Sequence, residues 1–347
     1  MAEITTIGLD TAKQVFQVEA RDAEGNTVLR RQLRRGGVLK FFGGLPRCVV
    51  GMEACSASHY WAREIAALGH EVRLLPPTSV KPYVKRGKKN DQADAAACCE
   101  AVTRPGMKVV PVKSVDEQAA LMLHRSRRLL VEQRTRLANA FRAHLSEFGI
   151  IARQGAGGLA ALQALVDDAQ DPQVPALIRP VLATLLAQWR AANEQIDTLE
   201  RQIVAWHKSN DDSTRLATIP QFGPIIASAF VATVTEPKRF HKGRNCAAWI
   251  GIVPSQHSTG GKTCLGPITK AGDRYLRQLL VIAGAGLIRR VKANPTLWPW
   301  VAQLLERMPA KKAAIAVANK LARIAWAVLV SGKPFKAEAF KAETAAA

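Results

Sequence analysis

Four carboxylates stand where acids are costly. Asp10, in GLDTAK, is a lone acid within an otherwise apolar strand that opens a hairpin, and Glu53 closes CVVGME, a run with the composition of a buried strand. An ionised group at either place is unfavourable unless it faces a partner or a metal. Asp91 and Asp94, in KKNDQADAAA, lie three apart at the start of a helical pattern and so share one face. Each helical acid also has a structural use, Asp91 as an N-cap and Asp94 in the first turn against the helix dipole. As a set they are harder to explain by stability. At about 4 Å and an effective dielectric of about 20, each close pair repels by roughly 4 kcal/mol, which a divalent cation removes. Hard oxygen ligands without His or Cys favour Mg²⁺ or Mn²⁺. Two such ions stabilise the attacking and leaving oxygens of an in-line phosphoryl displacement.

Basic residues surround both this set and a second candidate. Immediately before Asp91, KPYVKRGKKN supplies Lys81, Lys85, Arg86, Lys88 and Lys89, which attract a phosphate backbone whether or not the loop is ordered. The second candidate is GIVPSQHSTGGKTCLGPITKAGDRYLRQLL (251–280), where Ser258 and its hydroxyl neighbours lie in a glycine-rich loop beside Lys262, Lys270, Arg274 and Arg277. The spacing G-x-x-x-x-G-K-[ST] is absent, so this is no P-loop; it reads as a phosphate-gripping turn with Ser258 as a potential nucleophile. His257 adjoins Ser258 and points away from it if the segment is extended.

The elements that must position these groups follow from periodicity. Residues 4–21 read as a strand, Glu24-Gly25-Asn26 as a turn and TVLRRQL as its hairpin partner. GVLKFFGGL predicts a short helix, 48–53 a buried strand, SASHYWAREIAALG an amphipathic helix, HEVRLLP a further strand, and the segment from Asp91 a helix. An opening hairpin followed by alternating strands and helices gives an α/β sheet over 1–110, and a ribonuclease-H-like sheet is one that gathers two strand acids and a helical pair at one edge. Val115 to Phe148, without proline or glycine, predicts one long helix. Glycines and prolines at 155–180 separate it from a second, in which Leu182, Leu185, Trp189, Ala192, Ile196, Leu199, Ile203 and Trp206 form a heptad seam. That seam fits a coiled coil between chains, giving a homodimer or homotetramer, and equally packing on the first helix within one chain. The middle region thus spans 111–210. A mainly helical third region, 211–335, opens with IPQFGP, which resembles a helix-hairpin-helix turn offering backbone N–H groups to phosphate. Helical patterning runs from Trp300 to about Val330, and the tail 336–347 is expected to be disordered.

Bulk composition narrows the partners. With 49 Lys and Arg against 28 Asp and Glu, the formal charge is +21, far beyond what solubility requires, which points to a polyanion. From Pro237 to Leu305 there are eleven Lys or Arg and a single acid, Asp273. Scarce aromatics, 6% of residues, disfavour a stacking platform for single strands and favour phosphate contacts spread over a large surface. The absence of a long uninterrupted apolar window and of a leader pattern predicts a cytoplasmic protein with no membrane partner. Cys48, Cys55, Cys98, Cys99, Cys246 and Cys264 form no C-x-x-C pair and read as small buried apolar residues.

These motifs resemble the insertion sequence 110 family of transposases, and within it the 1111 subgroup. GLDTAK, GMEAC and KNDQADA are similar to the three acidic motifs of its RuvC-like DEDD domain. IPQFGP, AAWIGIVPSQHSTGGK and ITKAGDRYLRQLL are similar to its C-terminal transposase domain. Order and spacing over nearly the whole chain make the likeness specific. It implies a fold of a RuvC-like mixed sheet, a helical coiled-coil middle and a mainly helical serine-bearing domain. It also implies DNA cleavage and strand exchange, with Asp10, Glu53, Asp91 and Asp94 on Mg²⁺ and a serine attacking a phosphodiester to form a covalent protein-DNA link. That serine corresponds to Ser258; a count one residue longer falls on Thr259, a more hindered hydroxyl, and Ser255 ranks third. Activation then falls to the metal-bearing acids and charge stabilisation to Lys262, Lys270, Arg274 and Arg277. The resemblance further implies a structured guide RNA that pairs with donor and target DNA. A junction-resolving nuclease using the metal site alone, and a non-catalytic architectural protein binding nucleic acid by charge, are the competing readings.

Overall fold

The computed structural model describes residues 3–84, 90–168 and 170–336. The chain divides into two compact units, Met1–Ser114 and Val115–Ala347.

The first unit is a five-stranded mixed sheet in the order β3-β2-β1-β4-β5, formed by β1 (Thr6–Asp10), β2 (Val15–Arg21), β3 (Thr27–Arg34), β4 (Val49–Glu53) and β5 (Glu71–Leu75). The first three strands are an antiparallel meander, while β4 and β5 run parallel to β1. The expectation of one strand over 4–21 is therefore corrected: the chain turns between Asp10 and Val15, so Asp10 ends a strand instead of lying inside one. Alternation continues across the turn, which hides the break from a periodicity reading.

Side chains of Ile7 and Leu9 point to a core shared with Phe16, Val18, Met52, Phe42, Trp61 and Ile65, built by α1 (Val38–Gly43) and α2 (Ser58–Ala67). On the opposite face lies α4 (Asp91–Val102), which follows the short α3 (Pro77–Val80). Gly8 and Gly51 are register partners on β1 and β4, and both sit directly beneath α4. A Cβ at Gly8 would collide with the Ala95 carbonyl oxygen, and one at Gly51 would stand 2.7 Å from Val102 Cβ. The pair of glycines lets helix backbone rest on strand backbone.

The second unit is helical. Its α5 (Val115–Ser146) and α7 (Arg179–Ser209) pack antiparallel within the chain, since Asp116, Arg127 and Arg134 bond to Trp206, Glu200 and Asn193 in reverse order. Of the heptad seam on α7, Leu182, Ala192, Ile196 and Ile203 are buried. The region 155–180, expected only as a break, contains α6 (Ala156–Asp167), whose Leu159, Leu162 and Val166 join the cluster of Phe141, Leu145 and Leu182.

Beyond α7 come α8 (Asp211–Leu216), α9 (Pro224–Val234), α10 (Gly243–Ile250), a two-stranded β6 (Pro254–Gln256) and β7 (Leu265–Ile268), α11 (Arg274–Ala293), α12 (Pro299–Arg307) and α13 (Ala310–Ser331). The helix expected from Trp300 to Val330 is thus two helices, because Pro309 stands between them. By length and composition α13 is the one described helix apolar enough to cross a membrane, and its Val317, Leu321 and Ala325 are buried in the core of this unit. His124 on α5 is 1% exposed and bonds Ser228 Oγ on α9 at 3.0 Å and Tyr275 Oη on α11 at 3.1 Å, tying three helices together. Burial, then the charge of Arg127, lowers its pKa to about 4. Four of the six cysteines are buried as expected, but Cys55 and Cys264 are exposed, and all six are free thiols.

Candidate active site

Asp10 and Glu53 end adjacent parallel strands. The β1–β4 register runs from Thr6↔Val49 to Leu9↔Met52, and one further step sets Asp10 beside Glu53. Each acid lies two residues after its glycine, so strand alternation turns it to the face that carries α4. That helix crosses β1 and β4 above Gly8 and Gly51 and carries Asp91 and Asp94 in its first turn, and the charges of both act on Asp10. Asn90 is the N-cap, its side chain accepting from Ala93 N at 2.8 Å. Asp91 is therefore released from the capping role that its position suggested.

Electrostatics report the same convergence. Burial raises the Asp10 carboxyl to about 6, and the charges of Asp94, Asp91 and Glu53 add to the rise. The Cys98 thiol on α4 is pushed up by burial, then by Glu53, Asp10 and Asp94. None of the four acids forms an ion pair among the described residues. No group of three or more His, Cys, Asp or Glu side chains among the described residues stands in metal-holding geometry. The four side chains are carboxylates whose charges oppose one another at Asp10, a hard-oxygen donor set of the kind that suits Mg²⁺ or Mn²⁺. Lys81 is exposed on the turn leading to α4; Lys85, Arg86, Lys88 and Lys89 lie outside the described residues, as does 337–347 of the tail.

One acid of the same sheet escaped the sequence reading. Glu19 on β2, register partner of Gly8, is 1% exposed, and its Oε1 and Oε2 accept from Arg21 at 2.9 Å and Arg30 at 3.0 Å. Its signal was available: on strands, Arg21 at i+2 shares its face.

Ser258 lies in the second unit. The glycine-rich loop is a hairpin in which Thr259 and Lys262 bridge across Gly260 and Gly261, both at positive φ. Gln256 and Ser258 share a face, and the exposed Ser258 Oγ accepts from Gln256 Nε2 at 2.9 Å and from Cys264 N at 3.3 Å. His257 instead donates its backbone N–H to Cys264 O. Ser255 is turned against the backbone at Gly266. Lys262, Lys270 and Arg274 are exposed, Lys270 with φ +56°.

Arg277 corrects the expectation of a phosphate contact. It is buried, and its Nη1 donates to Ile250 O at 2.9 Å and Gly272 O at 3.1 Å. Gly251 and Gly272 permit that closure, since a Cβ at Gly272 would lie 2.8 Å from Ile250 Cα. The guanidinium fixes the base of the hairpin to α11, whose N-cap is Asp273.

A mixed sheet whose acids end neighbouring strands and stand on the first turn of the covering helix is the arrangement of a RuvC-like DEDD domain. A model of the IS110-type DEDD transposases, described as Transposase, matches residues 7–150, and one described as Transposase IS116/IS110/IS902 family matches 213–297. The chain is 48% identical to a probable family 20 transposase of Pseudomonas aeruginosa, over 94% of this chain and 97% of the relative. It is 44% identical to a putative transposase, y4pF/y4sB, of Sinorhizobium fredii, over 99% and 88%. It is 34% identical to the transposase for insertion sequence element IS1111A of Coxiella burnetii, over 97% and 92%. The chain belongs to the IS110/IS116/IS902 family and is a DNA transposase of insertion-sequence type.

Proposed function

We propose that the protein cleaves and exchanges DNA strands with two chemically distinct groups, the carboxylates Asp10, Glu53, Asp91 and Asp94 and the nucleophile Ser258. The observation that carries the reading is that Asp10 is raised by burial and by its three acidic neighbours, with no cation paired to any of the four among the described residues. These residues hold Mg²⁺ or Mn²⁺, which when bound supplies Lewis-acid stabilisation to the oxygens of a phosphoryl transfer. The protein's own contribution is orientation: the glycine pair Gly8 and Gly51 sets α4 low on the sheet, and Asn90 caps the helix so that Asp91 stays available.

Ser258 Oγ forms a bond to phosphorus as a backbone P–O bond breaks; its proton passes to solvent, and the departing sugar oxygen is protonated. Attack by a sugar hydroxyl of the joining strand reverses the exchange and frees the serine. Gln256 and the Cys264 amide orient Oγ, while Lys262, Lys270 and Arg274 attract the backbone. A structured guide RNA and self-association as a dimer or tetramer are part of this reading; the +21 charge supports the nucleic-acid partners. To test it, the protein is incubated with cognate element DNA, denatured and examined for a covalent adduct. The adduct is expected with the native chain and absent in Ser258→Ala; an adduct of undiminished yield in that variant overturns the serine assignment. Metal-dependent cleavage without any adduct would favour the resolvase reading.

A further inference from the structure

A cavity of about 510 Å³ opens in the second unit between the start of α10 and the middle of α13. Four cationic residues line it, Lys242 just before α10, Arg244 on α10, and Lys320 and Arg323 on α13, together with Trp326, and no carboxylate is among the lining residues. The walls are fixed relative to one another. Gly243 lies so close to α13 that a Cβ would meet Trp326 Cε3 at 3.1 Å and Arg323 O at 3.2 Å. Trp326 Nε1 donates to Pro237 O at 2.9 Å, and Asn319, one residue before Lys320, donates to Ile252 O at 3.1 Å.

This last bond matters for what the cavity does. The same two helices that carry the cations also hold Ile252, from which the chain enters the hairpin of Ser258. From Gly243 to Ile250, α10 is eight residues long, so its cationic start stands about 12 Å from the base of the hairpin. We infer that this cavity is a fixed anchor for the phosphate backbone of duplex DNA, which holds the strand in register with the serine hairpin. Cations brought from two elements to one cavity whose lining holds no carboxylate grip phosphates without reading bases, and such contacts set position, not sequence. Exposed Lys242 and Arg244 provide the outer contacts, while half-buried Lys320 and Arg323 form the floor. The register argument rests on the serine reading above; the anchor itself does not.

The experiment measures the affinity of the full-length chain for a random-sequence 30-base-pair DNA duplex across a salt series, and for a structured RNA of similar charge. Lys242→Gln with Arg244→Gln, both exposed positions, is compared with Arg289→Gln plus Lys292→Gln, an equal charge change on exposed α11. The anchor predicts that the first pair weakens duplex binding roughly tenfold at 0.15 M salt and lowers the slope of log affinity against log salt by about 1–2, with a smaller change for the control pair. Melting curves coincident with the native chain establish that folding is intact. Equal losses for both pairs, or a loss confined to RNA, overturn the inference. Adduct formation by the native chain is scored in parallel: its absence counts against the serine reading, and unaltered duplex binding in the double variant counts against the anchor.

Discussion

Asp10 and Glu19 stand on neighbouring strands of one sheet and answer burial in opposite ways. Glu19 is nearly inaccessible and clasped by Arg21 and Arg30, with Arg21 also reaching Glu100 on α4. Asp10 is half-buried, faces three other acids and is raised to about 6. A carboxylate kept for structure is neutralised inside the chain; one left unneutralised among its own kind is poised for a ligand from outside.

The comparison breaks most severely through activity. Asp10→Ala should lower strand exchange on the order of a thousandfold or more while duplex binding persists, whereas Glu19→Gln should leave turnover per folded molecule intact. Stability should separate the same residues in the other direction. Glu19→Gln removes the carboxylate that Arg21 and Arg30 share, while Arg21 keeps Glu100 and Arg30 reaches solvent, and should cost roughly 1–2 kcal/mol in urea unfolding. Gly8→Ala forces α4 away from β1 and should cost about 3 kcal/mol, with strand exchange lost even in the fraction that folds. A buried group that does pair without charge sharpens the contrast. His124, lowered from 6.5 to about 4, favours folding when neutral. Its contribution is complete above pH 6.5 and is lost as pH falls through about 4, up to about 3 kcal/mol, and the loss should vanish in His124→Gln. The smallest effect has the opposite sign. Because the folded Asp10 carboxyl is raised from 3.8 to about 6, its favourable contribution exists below pH 3.8 and disappears as pH rises through 6. In metal-free buffer at pH 7.5, Asp10→Asn should therefore be more stable than the native chain, by about 1 kcal/mol after discounting for solvent screening.

Much of this was legible before any coordinates. An acid in an apolar strand violates burial rules openly, so Asp10 and Glu53 announce themselves, and the three-residue spacing of Asp91 and Asp94 is read directly as a helix face. Their convergence was not, because it depends on the turn after Asp10 and on helix-to-strand approach over Gly8 and Gly51. The glycines two residues ahead of each strand acid were the overlooked sign. Arg277 was misread since a basic residue near exposed cations gives no local hint that its guanidinium turns inward to backbone carbonyls. The heptad seam on α7 was read correctly as apolar, yet periodicity alone does not name the partner, and α5 of the same chain covers much of it. The cationic cavity joins residues nearly eighty positions apart, Lys242 with Lys320, and no sequence window contains both.

The central claim is that Asp10 and Glu53 of the sheet, with Asp91 and Asp94 of α4, take up a divalent cation. Thermal unfolding of the native chain across a Mn²⁺ series, beside Asp10→Asn at the same concentrations, tests it without recourse to catalysis. A Tm that climbs with Mn²⁺ in the native chain and stays flat in the variant is the predicted result. A native Tm indifferent to Mn²⁺, or an equal rise in both proteins, would contradict it.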